Sequence, residues 1–249
     1  MTVERERLSG DDWPWLEYEH QARYAFAAQR IPGGTVVDCA SGAGFGTRVF
    51  AGTNASRTLG VERDFAALRS ARGIAPNAWF CCADACRLPL ASGSVDAFVS
   101  LETIEHLDAD RTFLGEIVRV LRPGGIAVCS TPNRLVTNPG TGLHDRPWNQ
   151  YHVREYSPAE LSALLSPFFA EVQVFGQNPV RSGILTVARR LARHVSPLLA
   201  VRFLQALKLP RLVLRDPSHH RVQSVHDAVE YEYTVVECAR PRSAPGTPM

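Results

Sequence analysis

The stretch "VVDCASGAGFG" (residues 36–46) decides the fold. An apolar, β-branched run reaches Asp38, and glycines follow at Gly42, Gly44 and Gly46 in a G-x-G-x-G spacing. Glycine suits a turn that needs positive φ or a close approach of the backbone to a ligand. A carboxylate as near as Asp38 would repel a pyrophosphate but attract an ammonium group. The pattern predicts a ligand-binding turn after a buried strand, although glycines alone also fit a plain tight turn.

Short apolar runs alternate with helical patterns along the rest of the chain. Near-continuous apolarity without polar alternation indicates strands that are covered on both faces. Strands that alternate with helices at this rhythm predict a parallel, doubly wound α/β sheet with right-handed crossovers. The predicted strands are 35–40, 57–62, 78–84, 95–101, 125–131, 171–177 and 230–241.

Two further acids stand at the ends of predicted strands. Glu62 follows Gly46 by 16 residues, about where an acid binds a ribose diol in nucleotide-binding sheets. Asp84 ends the third predicted strand, where a carboxylate can accept a hydrogen bond from an adenine amino group. Alone, Glu62 also fits a solvated strand-end acid, and Asp84 a turn former. Their order after the glycine turn favours a nucleoside site.

These segments together resemble the class I S-adenosylmethionine-dependent methyltransferases, in particular the methyltransferase type 11 branch that is associated with glycans and natural products. The resemblance covers roughly residues 18 to 175 and rests on "VVDCASGAGFGT", "GVERD", "CADACRLPLASGSVDAFVSLETIEHL" and "LRPGGIAVCSTPN". It implies S-adenosylmethionine as cofactor. It also implies a Rossmann-like, mostly parallel, seven-stranded sheet that ends in an antiparallel hairpin, with a helical insert before the last strand. Ala40-Ser41 departs from the glycine and cysteine that many members carry there.

The resemblance implies roles for the cofactor-binding residues. The glycine turn lies under the methionine part of the cofactor, Glu62 holds the ribose hydroxyls, and Asp84 faces the adenine edge. The segment 17–29 resembles a lid helix in which Arg23 meets the cofactor carboxylate, while Tyr24 packs beside it or merely covers the sheet. The predicted cofactor-binding residues are Arg23, Asp38, Ser41, Gly42, Gly44, Glu62, Arg63, Asp84, Ala85 and Glu102.

The segment "LETIEHL" (101–107) supplies acid–base candidates. If a helix begins at residue 102, Glu102, Glu105 and His106 share one face. Imidazole has the pKa class of a general base near neutral pH, so we predict His106 and Glu105 as catalytic residues. The alternative for His106 is packing under the sheet with a hydrogen bond to a backbone carbonyl.

The same E-x-x-E-H pattern resembles metal-assisted O-methyltransferases, including ubiquinone-pathway and small-RNA 2′-O-methylating enzymes. That resemblance implies a divalent ion, Mg, Mn or Zn, which would depress the pKa of a substrate hydroxyl. The predicted ligands are Glu102, Glu105, His106 and His152. His144 is a spare ligand, and a side-chain pair between Glu105 and Arg154 is the alternative to a metal.

Residues 131–169 should border the acceptor, because they begin where the fifth predicted strand ends. Polar groups around Trp148 and Tyr151 suit a sugar ring, and Ser157 and Glu160 have the spacing of a capping box. We expect O-methylation of a small-molecule acceptor such as a sugar or glycosylated natural product. N-methylation of an amino sugar or amine, RNA 2′-O-methylation and cofactor binding without catalysis are alternatives. A net charge of only +2 disfavours nucleic acid.

The segment 178–225 has nine basic residues against one acid, Asp216. Its two amphipathic patterns fit a cap over the acceptor pocket, a site for an anionic sugar conjugate, or a membrane-surface contact. A solvated cationic face is the plain alternative. The predicted organisation is a lid helix (1–30), the cofactor-binding core (31–177), the basic insert (178–225), the final strand (226–241) and a disordered tail (242–249).

The composition of the 249 residues, 45% hydrophobic and 21% charged, is typical of a soluble globular protein. The N-terminus lacks the apolar core of a signal peptide. Six cysteines without a CxxC pair predict reduced thiols. We therefore expect a cytoplasmic protein, and the sequence leaves its oligomeric state open.

Overall fold

The computed structural model describes residues 14–180, 220–226 and 229–242. Most of the predicted basic insert, residues 181–219, lies outside the described residues, so its role as a cap, anion site or membrane contact stays a prediction. The start of the predicted lid region, before residue 14, and the predicted tail from residue 243 also lie outside them.

All the described strands belong to one mixed sheet that is flanked by helices. The strands are β1 (Gly34–Cys39), β2 (Ala55–Glu62), β3 (Trp79–Cys82), β4 (Val95–Leu101), β5 (Leu121–Pro132), β6 (Phe169–Val180), β7 (Gln223–Ser224) and β8 (Glu230–Pro241). The helices are α1 (Pro14–Ala28), α2 (Phe45–Ala51), α3 (Phe65–Ile74), α4 (Asp110–Val120), α5 (Arg134–Thr137) and α6 (Pro158–Leu165).

The strand order is β3-β2-β1-β4-β5-β8-β6-β7. Strands β1 to β5 pair in parallel, whereas β8 runs antiparallel between β5 and β6. This confirms the doubly wound, mostly parallel sheet with antiparallel C-terminal strands. The predicted number of seven strands is wrong, because β7 adds an eighth. The strand β7 has only two residues, which pair with Phe175 and Gly176 of β6. Two residues are too few to form an alternating hydrophobic pattern, so the sequence could not predict this strand.

The core lies on both faces of the sheet, as the apolar strands predict. On one face, Phe113, Leu114 and Ile117 of α4 pack with Phe98 of β4 in a fully buried cluster. Burial of each such side chain contributes about 1.5–3 kcal/mol, and Phe98→Ala would cost about 3–5 kcal/mol. The helix α4 ends at Val120, where β5 begins.

Local capping fixes two helix starts near the site. Asp64 accepts from the backbone N–H of Ala66 at 2.6 Å and begins α3 directly after β2. Ser157 and Glu160 form the predicted capping box at the start of α6. Both caps hold the chain where it leaves the carboxyl edge of the sheet.

The strand order reverses at β1, which pairs with β2 on one side and β4 on the other. Asp38 lies opposite Gly60 of β2 and Val99 of β4, so the carboxyl ends of these strands meet. Ligands of open α/β sheets bind outside this switch point. No helix in the described ranges has the length and apolarity of a membrane span.

Candidate functional site

The glycine turn follows β1, and each of its glycines has a different physical reason. Gly42 has φ +53°, and a Cβ there would point into open space. Gly44 has φ +85° as the N-cap of α2, and a Cβ there would lie 2.8 Å from Cβ of Ala71 in α3. A Cβ at Gly46 would meet the ring of Tyr24. Only Gly42 leaves room beside the backbone; Gly44 and Gly46 are required by packing.

Asp38 lies beneath this turn with 1% of its surface exposed. Its Oδ2 accepts a hydrogen bond of 2.6 Å from Oγ1 of Thr47. Burial, to which the charge of Glu62 adds, raises the pKa of Asp38 to about 7, although the hydrogen bond from Thr47 opposes the rise. A cation placed at the turn would favour the ionised form of this carboxylate.

Glu62, at the end of β2, is tied to the turn by its side chain. Its Oε2 accepts from the N–H of Gly42 at 3.0 Å, and its Oε1 accepts from the N–H of Asp64 at 2.8 Å. A carboxylate has about four acceptor positions, so Glu62 keeps acceptor capacity for a hydroxyl pair. The half-buried carboxylate therefore lies between the turn and the start of α3.

The adenine-side residues are more exposed. Asp84 is exposed, and its Oδ1 accepts from the N–H of Cys86 at 2.8 Å, as a turn former does. Arg63 is exposed and Ala85 is half-buried. The turn-forming role of Asp84 is thus observed, and its contact with adenine stays a prediction.

Arg23 of α1 is fully buried close to this edge of the sheet. Its Nη1 donates to the side chain of Gln177, and its guanidinium carbon lies 4.3 Å from the ring centroid of Tyr233. Nε and Nη2 of Arg23 have no hydrogen-bond partner within the described residues, and neither has the buried Oγ of Ser41. An unpaired buried charge is costly, so these donors indicate an anionic or polar ligand.

Tyr24 connects the lid helix to the turn. Its ring packs against Phe50 of α2 at 5.6 Å between centroids, and it occupies the space beside Gly46. Burial, reinforced by the charge of Asp38 and more weakly of Glu102, raises the pKa of Tyr24. Tyr24 therefore covers the sheet, as its plain interpretation predicts, and it lies near two predicted cofactor contacts.

The segment after β4 is not the helix predicted from residue 102. Glu102 has φ +52°, and a 3₁₀ turn covers only Ile104–His106. Oε1 of Glu102 accepts from Oγ of Ser130 at 2.7 Å, which holds the Glu102 side chain toward β5. The prediction that Glu102, Glu105 and His106 share one helical face is therefore wrong.

Three of the four predicted metal ligands nevertheless come together. Ligand-type atoms of Glu105, His106 and His152 lie within 4.8 Å of one another. Glu105 is fully buried; its Oε2 accepts from Oγ1 of Thr131 at 3.0 Å, and its Oε1 has no partner in the part of the chain that the structure describes. Burial, followed by the charge of Glu102, raises the pKa of Glu105 well above its usual value. Glu102 is not a member of this group.

Both imidazoles of the cluster are held at Nδ1. Nδ1 of His106 lies 2.9 Å from the carbonyl oxygen of Tyr151, which is the backbone hydrogen bond of the plain interpretation. Nδ1 of His152 lies 2.6 Å from Oε1 of Glu155. Burial disfavours the charge of Glu155, yet hydrogen bonds led by that from His152 hold the pKa of Glu155 below its usual value.

Arg154 does not pair with the side chain of Glu105. Its Nη1 donates to Oδ2 of Asp110 at 2.6 Å, and only its backbone N–H reaches the carbonyl of Glu105, at 3.2 Å. The alternative that Arg154 neutralises Glu105 is therefore wrong. Elsewhere on this side, His144 is exposed and Trp148 has half of its surface exposed.

Known proteins share the central part of this chain. Residues 37–129 match the family described as "Methyltransferase domain". A probable S-adenosylmethionine-dependent methyltransferase of Mycolicibacterium smegmatis is 37% identical over 154 residues, which are 62% of this chain and 58% of that protein. One of Mycobacterium tuberculosis H37Rv is 36% identical over 146 residues, 59% of this chain and 52% of that protein.

The chain contains a methyltransferase domain over residues 37–129. The chain spans little more than half the length of these curated relatives. Solved structures agree in fold: a possible histamine N-methyltransferase of Thermotoga maritima is 19% identical, with TM-score 0.57 over 91% of this chain and 93% of that chain. The [4+2]-cyclase SpnF is 20% identical, with TM-score 0.60 over 95% and 86%. Because a cyclase has this fold, the reaction must be argued from the site.

The site of the methyltransferase domain fits S-adenosylmethionine. Donor atoms of Arg23 and Ser41 are buried without partners in the part of the chain that the structure describes, and they suit the carboxylate of the cofactor. Asp38 suits its ammonium group, Glu62 suits its ribose hydroxyls, and the backbone at Gly42 leaves space beside it. When bound, the cofactor would supply an electrophilic methyl group.

Three residues that matter at this site were not predicted from the sequence. Thr47, Gln177 and Glu155 each hold a predicted site residue, namely Asp38, Arg23 and His152. Glu155 follows His152 by three residues, which is a signal that the sequence did contain. Gln177 is separated from Arg23 by 154 positions, and no local pattern connects them.

Proposed function

We propose that this domain transfers the methyl group of S-adenosylmethionine to a hydroxyl oxygen of a small-molecule acceptor. The observation that carries the proposal is the set of buried donors on Arg23 and Ser41 that have no hydrogen-bond partner among the described residues. Ser41 lies in the turn after β1, and Arg23 precedes Tyr24, whose ring lies against Gly46 of that turn. Such donors are uncommon in folded proteins unless a ligand satisfies them. The relatives with matching central segments carry methyltransferase names, which supports the same cofactor.

The choice of oxygen rests on the acid–base groups beside this site. A hydroxyl must lose its proton as it attacks the methyl group, and the proton acceptor must lie close to it. Glu105 and His106 follow β4, whose end adjoins that of β1. We propose that His106 and Glu105 activate the acceptor hydroxyl. The carbonyl of Tyr151 supports this role, because it fixes the proton of His106 on Nδ1 and leaves Nε2 as a base.

A sugar or glycosylated natural product is the favoured acceptor class. The half-exposed indole of Trp148 offers an apolar face of the kind that packs on the CH groups of a sugar ring. Polar groups of Asn149 and Tyr151 lie next in the chain. The nearly balanced net charge of +2 gives no broad attraction to nucleic acid.

The test is incubation of the purified protein and S-adenosylmethionine with a panel of glycosides, amines and short RNAs, read by mass spectrometry. A gain of one methyl group on a glycoside, located on oxygen by fragmentation, is the expected result. His106→Ala and Glu105→Gln should each slow the transfer by roughly 10²–10⁴-fold, the range of general acid–base catalysis, without loss of cofactor binding. Methyl gain on an amine or RNA alone would reject the proposed acceptor, and turnover that does not need His106 would reject its role.

A further inference from the structure

We propose that Glu105, His106 and His152 bind one first-row transition-metal ion, such as Zn²⁺ or Mn²⁺, and that Glu155 and the Tyr151 carbonyl orient the two imidazoles. The use of the ion rests on the proposed function and refines it: with the ion bound, Nε2 of His106 would be a ligand, and the ion rather than this nitrogen would lower the pKa of the acceptor hydroxyl. Ion binding itself can be measured without methyl transfer. The ligand set differs from the one predicted from the sequence, because Glu102 is left out.

The first argument is proximity of the right donor types. One carboxylate and two imidazoles place ligand-type atoms within 4.8 Å of one another. Zinc bonds to nitrogen and oxygen measure about 2.0–2.2 Å, so a central ion can reach atoms at this spacing after small movements. Two imidazoles and one carboxylate suit Mn²⁺, Fe²⁺, Co²⁺ or Zn²⁺, whereas Mg²⁺ prefers oxygen ligands and water.

The second argument is the electrostatic state of Glu105. This side chain is fully buried, and its Oε1 has no hydrogen-bond partner among residues 14–180, 220–226 and 229–242. No described cation pairs with it, because Arg154 is engaged by Asp110. A buried carboxylate oxygen without a partner is unfavourable, and a bound cation would satisfy it directly.

The third argument is the orientation of the rings. In protein metal sites a ligating histidine donates its other N–H to a carboxylate or a backbone carbonyl. His152 and His106 have these two partners at Nδ1, the carboxylate of Glu155 at 2.6 Å and the carbonyl of Tyr151 at 2.9 Å. With a proton on each Nδ1, Nε2 would be the ligating atom of both rings. Glu155 is itself held by Thr137 and Asn138, so it is a fixed support.

One contact must open when the ion binds. Nδ2 of Asn149 lies 3.0 Å from Nε2 of His152, and Oδ1 of Asn149 accepts from the N–H of Tyr151, which fixes the amide orientation. The amide then donates to Nε2, an arrangement that requires a lone pair on this nitrogen. Removal of the amide in Asn149→Ala should leave ion binding as tight as in the parent, or tighter.

Glu102 is left out because it is not among the residues whose ligand-type atoms lie within 4.8 Å of one another. Its Oε1 accepts from Oγ of Ser130 at 2.7 Å, and the positive φ at Glu102 directs the chain into the 3₁₀ turn rather than a helix. A bound ion would lower the pKa of a hydroxyl that coordinates it. Glu102 would act on the site only through its charge.

The experiment measures binding of Zn²⁺ and Mn²⁺ to chelator-treated full-length protein, by calorimetry and elemental analysis, with no acceptor present. We expect one ion per chain and a much weaker response to Mg²⁺. His106→Ala, His152→Ala and Glu105→Gln should abolish the binding. Glu155→Gln should weaken it by about 10–100-fold, as removal of an orienting partner does.

Two matched variants are the controls. Glu102→Gln removes the other carboxylate of the E-x-x-E-H pattern and should weaken ion binding only slightly, through the loss of a nearby negative charge. His144→Ala removes an exposed histidine and should bind the ion as the parent does. Circular dichroism and thermal unfolding of each variant check folding. Absence of stoichiometric binding by the folded parent, or binding that Glu105→Gln leaves intact, would overturn the proposal. Stoichiometric binding would support it even if the panel of acceptors gave no methyl transfer.

Discussion

Oγ1 of Thr47 donates a 2.6 Å hydrogen bond to Oδ2 of Asp38, from the first turns of α2 back to the end of β1. This bond favours the ionised carboxylate, whereas burial, to which the charge of Glu62 adds, raises the pKa of Asp38 to about 7. Asp38 therefore titrates in the range where the domain is expected to work, and the charge of a bound ligand decides its state.

Cofactor binding should release a proton from Asp38. Below about pH 7 the free protein holds Asp38 mostly protonated, and the cofactor's ammonium group favours the ionised form. Affinity should therefore rise with pH until pH 7, with release of up to about one proton per cofactor near pH 6. Calorimetry at pH 6 in two buffers of different ionisation enthalpy measures this release. Asp38→Asn should remove the proton release. Thr47→Val removes the hydrogen bond that lowers the pKa of Asp38, so the rise in affinity should occur at higher pH.

The raised pKa of Asp38 also determines how the stability of the free protein changes with pH. The folded pKa of Asp38, about 7, exceeds the value near 4 of an unfolded chain. Asp38 therefore stabilises the free protein fully below about pH 4, and that contribution is lost as the pH rises through about 7. Saturating cofactor should reduce this loss. A proton release that is unchanged in Asp38→Asn would contradict this account of the turn.

Gly42 and Gly44 should respond differently to alanine. At Gly44, φ is +85° and the added Cβ would lie 2.8 Å from Cβ of Ala71, so Gly44→Ala should lower the free energy of unfolding by about 2–4 kcal/mol. At Gly42 the added Cβ meets open space, so Gly42→Ala should cost only about 1–2 kcal/mol through φ, and should weaken cofactor binding. Urea unfolding and calorimetry separate the two effects. Equal losses of stability would contradict the packing argument.

The parallel half of the sheet was predictable because its strands are continuous apolar runs, and an acid lies at or just after the end of β2, β3 and β4. The glycine turn, Asp38 and Glu62 were predictable for the same reason. The conformation after β4 was not predictable, because the i, i+3, i+4 spacing of Glu102, Glu105 and His106 fits a helix. The helix is excluded only by the positive φ of Glu102 and the hydrogen bond between Glu102 and Ser130. Partners such as Gln177 come from distant strands, and a single sequence carries no signal for them.

Glu62→Gln should weaken cofactor binding more than it weakens the fold. The amide keeps one acceptor but turns an N–H toward the backbone N–H of Gly42 or Asp64, so one of the bonds at 3.0 and 2.8 Å is lost. We expect at least a tenfold loss of affinity, about 1.4 kcal/mol. Glu171→Gln is the control, because Glu171 pairs with Arg240 only at the surface, where an ion pair contributes about 0–1 kcal/mol. Binding by Glu62→Gln at parental affinity would reject the ribose role.

Arg23→Met should distinguish the contribution of Arg23 to cofactor binding from its contribution to stability. The buried guanidinium leaves Nε and Nη2 without partners within the described residues, and an apolar side chain of similar length removes that cost. Without cofactor, Arg23→Met should therefore be as stable as the parent or more stable, even though Gln177 loses a donor. Its affinity for S-adenosylmethionine should fall by about 10–100-fold, because the cofactor carboxylate loses its cation.

The order of stability of these two proteins should then reverse when cofactor is added. A ligand that binds only the folded state stabilises it by about 2.7 kcal/mol at one hundred times its dissociation constant, and a variant with weakened binding gains much less. Thermal unfolding with and without cofactor shows which of the two proteins is more stable in each condition. Arg30→Met is the matched control, since Arg30 follows α1 and pairs with Glu237 at 2.7 Å away from the turn; it should lose some stability and keep its affinity. Parental affinity in Arg23→Met would show that Arg23 is a packing residue, and it would remove the central support for the cofactor site.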